Sequence, residues 1–395
     1  MSDALRTADP GRLVRVPATW YCYFLIGTQI FLFNVQGNVV PFLQSEFAIS
    51  YRVVSLHSVA IAVGVIAMGL VADRFTRAVG RRAALAMGGS GLAAGAIFLC
   101  ISPAPWASIA SCLLIGLMGG LIPSVVPAVL ADMHGERRDQ AYAEQAIVAY
   151  TFALLGPLAA GFFVAQGLGW RYSVIIGAVA GLALVVIFRN ARLPEPRPRP
   201  TGIAGRLSPP FWAYWCVIAT SCALEFSVLF WGPTFLERVI GYSPAGAATG
   251  AAAFFGGVLA GRLALRVVVR MFAARTILFF AFGVGLVGFL LYWAVGDHRA
   301  AVAGIFLLGL CVAPQYPVVM SLAIGAAKEA SDLAAARLTL AFGLAILIAP
   351  AVLGALADLV GLRFAHLTLP VLIGAGFVSF TIAGVLERRA ISRPT

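Results

Sequence analysis

The sequence places one acidic side chain near the middle of a long apolar segment. Glu225 lies in the run Ala223-Leu224-Glu225-Phe226-Ser227, well inside the segment 209–238. A charge at the centre of a bilayer costs about 2.5–3.5 kcal/mol on the insertion scale, so this group should face a wet cavity or be protonated. A carboxyl that is alternately wet and dry can bind and release a proton. Glu225 is therefore the predicted proton-coupling residue, or a partner for a cationic solute; the alternative is a neutral acid hydrogen-bonded inside the protein.

Four further polar side chains in apolar segments could bind a solute through hydrogen bonds. Asn34 and Asn38 are four residues apart in the first apolar segment, so they share one helical face. Gln315 and Tyr316 stand between two prolines in the segment 299–326. The other interpretation of these groups is hydrogen bonding between helices. Together with Glu225, these four are the predicted substrate-binding residues.

The elements that carry these residues are membrane-spanning helices. The chain has 61% hydrophobic and 11% charged residues, whereas a soluble domain carries about 25% charged residues. Because a spanning helix needs about 20 apolar residues, the sequence predicts an all-α membrane protein with twelve transmembrane helices. They are predicted at 17–45, 50–72, 83–102, 106–131, 140–166, 170–189, 209–238, 243–265, 274–296, 299–326, 333–358 and 363–387.

The positive charge of the chain reports its orientation in the membrane. Most of the 28 arginine and lysine residues lie in alternate connections, on the side of the N-terminus. Basic residues accumulate on the cytoplasmic side, so both termini are predicted to be cytoplasmic and the protein to be integral to the plasma (inner) membrane. This distribution explains the net charge of +12, and no nucleic-acid partner is expected.

The two halves of the chain repeat each other. A shift of 193 positions brings Gly116-Leu117 onto Gly309-Leu310, and Pro157 with Gly161 onto Pro350 with Gly354. Alternating prolines at 194–200 favour an extended spacer between the halves. We therefore predict an N-terminal six-helix bundle at 1–189, a cytoplasmic linker at 190–208 and a C-terminal six-helix bundle at 209–395. Parallel repeats of this kind are typical of transporters whose substrate site lies between the repeats.

Two motifs give the chain a family resemblance. Gly69-Leu70-Val71-Ala72-Asp73-Arg74-Phe75, followed by Gly80-Arg81-Arg82, resembles the signature between helices two and three of the major facilitator superfamily. Four additional residues, Thr76 to Val79, precede the final Gly-Arg-Arg. Gly156-Pro157-Leu158-Ala159-Ala160-Gly161 is similar to the GPxxGG element of the fifth helix in that family, which is often associated with exporters.

The resemblance implies the family's fold, with two six-helix bundles related by a pseudo-two-fold axis and helices one, four, seven and ten around a central cavity. It also places helix two beside helix eleven and helix five beside helix eight. Two charge pairs, Asp73 with Arg337 and Glu144 with Arg262, would then close the cytoplasmic side. With Arg74, these residues form the predicted cytoplasmic gate.

The function expected from the sequence is secondary active transport of a small organic solute by alternating access, coupled to protons. No P-loop is present to bind ATP, and no HExxH or GxSxG motif suggests an enzyme. No cofactor or metal is expected, and the protein is predicted to be a monomer. The alternatives are a membrane sensor or scaffold that does not transport, or an exporter of drugs or metabolites.

The charges inside the predicted spans narrow the expected solute. The central thirds of those spans contain no basic residue, so carriers of phosphate, nitrate or carboxylates fit poorly. A neutral polar solute such as a sugar, or an amphipathic cation, fits better.

Overall fold

The computed structural model describes residues 13–195, 207–327 and 331–391, and these residues form helices without any strand. This confirms the all-helical expectation. The helices are α1 Pro17–Phe47, α2 Tyr51–Val79, α3 Arg81–Cys100, α4 Pro105–His134, α5 Arg138–Ala165, α6 Arg171–Ile187, α7 Pro209–Phe235, α8 Pro244–Met271, α9 Ala274–Trp293, α10 His298–Ala327, α11 Ser331–Val360, α12 Leu362–Ala365 and α13 Thr368–Ile391. A 3-10 turn, Gly135–Arg137, joins α4 to α5, and a π-helical turn, Leu236–Ile240, extends α7.

Nine helical stretches in the described residues are long and apolar enough to cross a membrane. The stretch Pro105–Ala165 counts once because the connection between α4 and α5 is itself helical. Arg171–Ile187 is apolar but shorter than the other stretches. The chain is thus an integral membrane protein, while the number of twelve spans and the pseudo-two-fold relation stay predictions.

The four residues inserted in the second-helix motif lengthen α2 by about one turn. The helix continues through Thr76 to Val79 and ends at Gly80, whose φ of 82° favours glycine because it lacks a Cβ. Asp73 and Arg77 form an ion pair along the same helix face. The insertion is therefore absorbed as helix, and α3 starts directly at Arg81.

Two compact units are present. The first comprises Met1–Val35, Val63–Gly156 and Arg171–Pro198, and the second comprises Gln36–Ala62, Pro157–Trp170 and Arg199–Thr395. The division of the chain at 190–208 stays a prediction, since residues 196–206 of that linker lie outside the described part of the chain.

Glycines set the closest helix contacts of the first unit. A Cβ on Gly64 of α2 would lie 2.5 Å from the backbone nitrogen of Leu117 in α4. A Cβ on Gly177 of α6 would lie 2.7 Å from the Leu32 side chain of α1. Small residues let helix backbones approach closely in lipid, so these positions bring α2 against α4 and α6 against α1.

The second unit uses the same principle between α8 and α10. A Cβ on Gly257 would lie 2.0 Å from the carbonyl oxygen of Phe306, and one on Gly309 would lie 2.0 Å from that of Phe254. The spacing of Gly257 and Gly261 predicts a close helix contact, and Gly261 also packs on Ala313 of α10. Because α8 and α10 touch through their backbones, residues next to this seam lie near one another.

Both ends of α7 are fixed inside the second unit. Near its start, the Tyr214 hydroxyl donates to Glu387 at 2.8 Å, and the same carboxylate pairs with Arg275 at 2.6 Å. Near its end, the indole N–H of the fully buried Trp231 donates to the carbonyl oxygen of Pro350 at 2.9 Å. Glu225 lies between these two anchors.

Candidate functional site

Glu225 occupies the interior of α7, as the sequence predicts. The helix starts with Ser208, whose hydroxyl oxygen accepts a hydrogen bond from the backbone N–H of Phe211 at 3.4 Å, and with Pro209 in its first turn. Glu225 is half-buried, one turn after the buried Ser221, and its neighbour in the preceding turn is the buried Cys222. The carboxyl group is therefore held well away from both ends of the helix.

Arg262 is the charged group that acts on Glu225. The guanidinium of α8 lies within electrostatic range of the Glu225 carboxyl and of the Cys222 thiol. The sequence places Arg262 close to the end of a span at residue 265, but α8 continues to Met271. Arg262 therefore lies nine residues before the end of α8, and the expectation that the central thirds of the spans contain no basic residue stays a prediction.

The phenol of Tyr316 belongs to the same group of side chains. This α10 residue is half-buried and within electrostatic range of Glu225, Arg262 and Cys222. The α8–α10 seam at Gly261 and Ala313 explains why Tyr316 and Arg262 are neighbours. We call Cys222, Glu225, Arg262 and Tyr316 the α7–α10 polar cluster.

Gln315 has a different environment from its neighbour Tyr316. Its side chain is 2% exposed, and its amide nitrogen donates to the carbonyl oxygen and the thiol sulfur of Cys311, each at 3.0 Å. Both acceptors belong to the preceding turn of α10. These described hydrogen bonds stay within the helix, so its role in binding a solute stays a prediction.

Asn34 and Asn38 are both buried on α1, with 5% and 2% of their surface exposed. Asn34 belongs to the first compact unit and Asn38 to the second. Beside Asn38, a Cβ on Gly37 would lie 2.0 Å from the carbonyl oxygen of Leu229 in α7. This approach is one helical turn beyond Glu225, so the structure brings Asn38 to the same helix as the predicted proton-coupling residue.

The acidic residues of the predicted gate have partners within the first unit. Asp73 pairs with Arg77. Glu144 accepts two hydrogen bonds from the Arg15 guanidinium, at 2.8 and 2.6 Å, and one from the Tyr23 hydroxyl at 3.4 Å. The basic members of the predicted gate, Arg337 and Arg262, belong to the second unit, so both charge pairs, and the role of Arg74 beside them, stay predictions.

Sequence reasoning missed the partner of Arg81, the first arginine of the Gly-Arg-Arg motif. Arg81 is only 7% exposed and pairs with Asp132 at the end of α4, at 2.7 Å. It also donates to the carbonyl oxygen of Pro194 at 3.0 Å. The motif arginine therefore ties the start of α3 to the end of α4 and to the segment after α6. The signal available in the sequence was an arginine directly after the glycine that ends α2.

A second arrangement that the sequence did not reveal joins the start of α2 to α7 and α11 within the second unit. Asp358 accepts hydrogen bonds from the backbone N–H groups of Tyr51 and Arg52, at 2.9 and 2.8 Å. Arg238 donates to the Tyr51 hydroxyl at 3.4 Å and lies over its ring, while that ring packs edge-on against Trp231. By the predicted orientation these residues are on the outer side, and we call Tyr51, Trp231, Arg238 and Asp358 the outer cluster.

Within the described residues, no group of three or more histidine, cysteine, aspartate or glutamate side chains is placed to hold a metal ion. The six cysteines are free thiols, and Cys216 is the exposed one among them.

Comparison with known proteins identifies similar chains. A family model described as Major Facilitator Superfamily matches residues 19–301. The structure of a bacterial homolog of the human lysosomal transporter Spinster has a TM-score of 0.75 at 13% identity, covering 95% of this chain and 98% of that one. No curated protein matches the sequence.

Two further solved structures are similar over nearly their whole length. A D-xylose–proton symporter has a TM-score of 0.72 at 15% identity, covering 93% of this chain and 97% of that one. The peptide transporter POT, in complex with sulfate, has a TM-score of 0.74 at 16% identity, covering 98% and 97%. At these identities the likeness shows a shared fold and leaves the solute open.

Proposed function

The chain belongs to the major facilitator superfamily, whose model matches most of its length, and on this premise we propose that it is a proton-coupled secondary transporter. In this proposal a small organic solute binds in the membrane interior and is moved by alternating access. Glu225 takes up the coupling proton and returns it. The fold and the family support transport, and the α7–α10 polar cluster supports the coupling.

The observation that carries the proposal is a carboxyl group inside a membrane helix with a guanidinium in electrostatic range. An ionisable group at this depth is costly and marks ion or proton pathways more often than packing. A charged Glu225 attracts Arg262, and a protonated one does not. The two protonation states therefore favour different arrangements of α7 and α8 side chains, and a proton can bias a two-state conformational equilibrium only through such a difference.

Tyr316 gives this cluster a hydrogen-bonding group beside the charge pair. A phenol can donate to a carboxylate and accept from a guanidinium, so it suits an exchange of partners when Glu225 changes charge. A solute with hydroxyl or amine groups can form hydrogen bonds with Glu225, Arg262 and Tyr316. Since Arg262 adds a positive group to this cluster, a solute that carries both an amine and an acid also fits, beyond the neutral and cationic solutes expected from sequence.

Reconstituted protein tests this proposal directly. Proteoliposomes with an imposed pH gradient are offered a panel of radiolabelled sugars, amino acids, small amines and organic acids. We expect at least one solute to accumulate against its gradient and to leave again when a protonophore collapses the pH difference. Transport of a solute at the same rate with and without the pH gradient would reject proton coupling. A solute that binds tightly and never crosses would favour the sensor instead.

A further inference from the structure

A lateral groove lies on the second unit between α7, α11 and α13. Its volume is about 390 Å³, and its walls include Trp215, Thr220 and Ala223 of α7, Ile348 and Val352 of α11, and Val371 of α13. This volume falls in the range of small-molecule sites, about 300–1,000 Å³. The groove is thus large enough for a ligand, and it is separate from the α7–α10 polar cluster.

The mouth of the groove is an exposed, apolar surface. Ile348, Val352 and Val371 are 51%, 47% and 68% exposed, and they belong to helices apolar enough to span a membrane. A surface made of such side chains suits contact with hydrocarbon better than contact with water. From Trp215 to Ser227 the groove follows α7 for twelve residues, or about 18 Å at 1.5 Å per residue. That length exceeds one half of a hydrocarbon core about 30 Å thick.

The walls offer hydrocarbon contacts and few hydrogen bonds. The Thr220 hydroxyl donates to Cys216 of its own helix at 2.9 Å, and the Thr368 hydroxyl donates to Ala365 at 2.9 Å. The Trp215 indole N–H donates to the carbonyl oxygen of Arg337 at 2.7 Å. A polar solute would lose its hydrogen bonds to water in this groove and gain few in return. An alkyl chain makes no hydrogen bonds to water, so it has none to lose.

The cytoplasmic end of the groove has the residues that lipid headgroups contact. The Trp212 and Trp215 rings are neighbours, with centroids 6.1 Å apart, and Trp212 is 45% exposed. Tryptophan rings are enriched at the level of the headgroups. Arg337, whose carbonyl oxygen accepts the hydrogen bond from the Trp215 indole, has an exposed side chain. A cationic group at this level attracts anionic lipid headgroups.

We propose that this groove binds one acyl chain of an anionic phospholipid from the inner leaflet, with its headgroup at Arg337. At 100° per residue the groove-lining positions 219, 220, 223 and 227 lie about 120–160° around α7 from Glu225 and centre on the opposite face. The bound chain therefore supports the face of α7 behind the proposed coupling residue. The lipid site stands on its own contacts, so it does not depend on proton coupling.

Photolabelling in proteoliposomes tests the site without any transport assay. The probe is phosphatidylglycerol with a diazirine in one acyl chain, and labelled peptides are mapped by mass spectrometry. The reference is the lipid-facing surface of α9 at Phe279 and Phe280, which are 58% and 65% exposed. We expect the α7 peptide of the groove to be labelled in a saturable way, with unlabelled phosphatidylglycerol removing that label and leaving the α9 label unchanged. If unlabelled phosphatidylglycerol does not remove the α7 label, that label reflects ordinary contact with the bilayer, and the proposal is overturned.

Three variants sharpen the test. Ala349→Phe fills the groove and should abolish the α7 label relative to α9, whereas Ala375→Phe, on the exposed face of α13 outside the groove, should leave it as in the wild type. Arg337→Gln should lower labelling by the phosphatidylglycerol probe to that of a matched phosphatidylcholine probe. Full labelling of α7 in Ala349→Phe would overturn the proposal. Displacement of the label by a transported solute would do so too, because it would make the groove a solute site.

Discussion

Asp358 is the residue through which the outer cluster can be weakened with the smallest chemical change. Its two carboxylate oxygens accept from the backbone N–H groups of Tyr51 and Arg52 at the start of α2. Asparagine keeps one acceptor oxygen but loses the charge and turns an N–H toward a backbone donor. Loss of one of these two hydrogen bonds costs about 1 kcal/mol. Because Asp358 is exposed, solvent screens its charge and the cost of Asp358→Asn should stay near that value.

A loss of this size measurably increases how often the start of α2 separates from α11. About 1 kcal/mol raises the fraction of molecules in which the start of α2 has left α11 roughly fivefold. Ser55 reports this opening because it is 2% exposed and lies 3.0 Å from the position of a Cβ at Gly354. In a Ser55→Cys variant the thiol reacts with a water-soluble maleimide only when the contact opens. The labelling rate should therefore rise about fivefold with Asp358→Asn, measured in a Cys216→Ala background because Cys216 is exposed.

The chain contains a matched control for this experiment. Asp297 accepts a hydrogen bond from the backbone N–H of Ala300 at 2.9 Å and so caps the start of α10. Asp297→Asn makes the same chemical change at a different helix and should leave the labelling rate of the introduced thiol unchanged. Equal rates for the parent and for Asp358→Asn would refute the reasoning, as would an equal rise with Asp297→Asn.

Two further predictions concern packing and charge. Gly309→Ala should lower the melting temperature of the purified protein, since a Cβ there would lie 2.0 Å from the carbonyl oxygen of Phe254 and overpacking costs about 1–3 kcal/mol. Gly283→Ala has open space around it and is the control; equal melting temperatures for both variants would contradict the close α8–α10 contact. A double-mutant cycle of Arg15→Gln and Glu144→Gln should give a coupling energy of about 0.5–1 kcal/mol, because the pair is partly exposed. A coupling energy of zero in denaturant unfolding would mean that this ion pair does not hold the segment before α1 to α5.

Hydropathy predicts the positions of the helices more accurately than their ends. The predicted span 209–238 and the helix α7 start at the same residue, because Ser208 and Pro209 are a recognisable helix start. The span predicted to end at 265 continues to Met271, since Arg266 and Arg270 end the apolar pattern but favour helix. The same holds for α2, where the charged motif residues continue the helix to Gly80. A change from apolar to charged residues therefore does not mark the end of either helix.

The partners of charged residues could not be predicted from the sequence. Arg15 and Glu144 are 129 residues apart, and Tyr51 and Asp358 are 307 apart. Which residues meet depends on the rotation of each helix, and a one-residue rotation of 100° moves a side chain to another neighbour. Glu225 was recognisable because a lone acid in an apolar run is costly wherever it points. Arg262 could not be recognised from the sequence as a neighbour of Glu225, because its position along the span depends on where α8 ends.

The measurement that tests the proposed coupling most directly compares two kinds of transport in Glu225→Gln. Exchange of a transported solute between equal concentrations needs no net proton movement, whereas accumulation driven by a pH gradient does. The matched control is Glu237→Gln, in the π-helical turn that extends α7.

We predict that Glu225→Gln keeps solute exchange near the wild-type rate and loses accumulation driven by the pH gradient, while Glu237→Gln keeps both. Full accumulation of the solute by Glu225→Gln at the wild-type level would contradict the assignment of the coupling proton to Glu225.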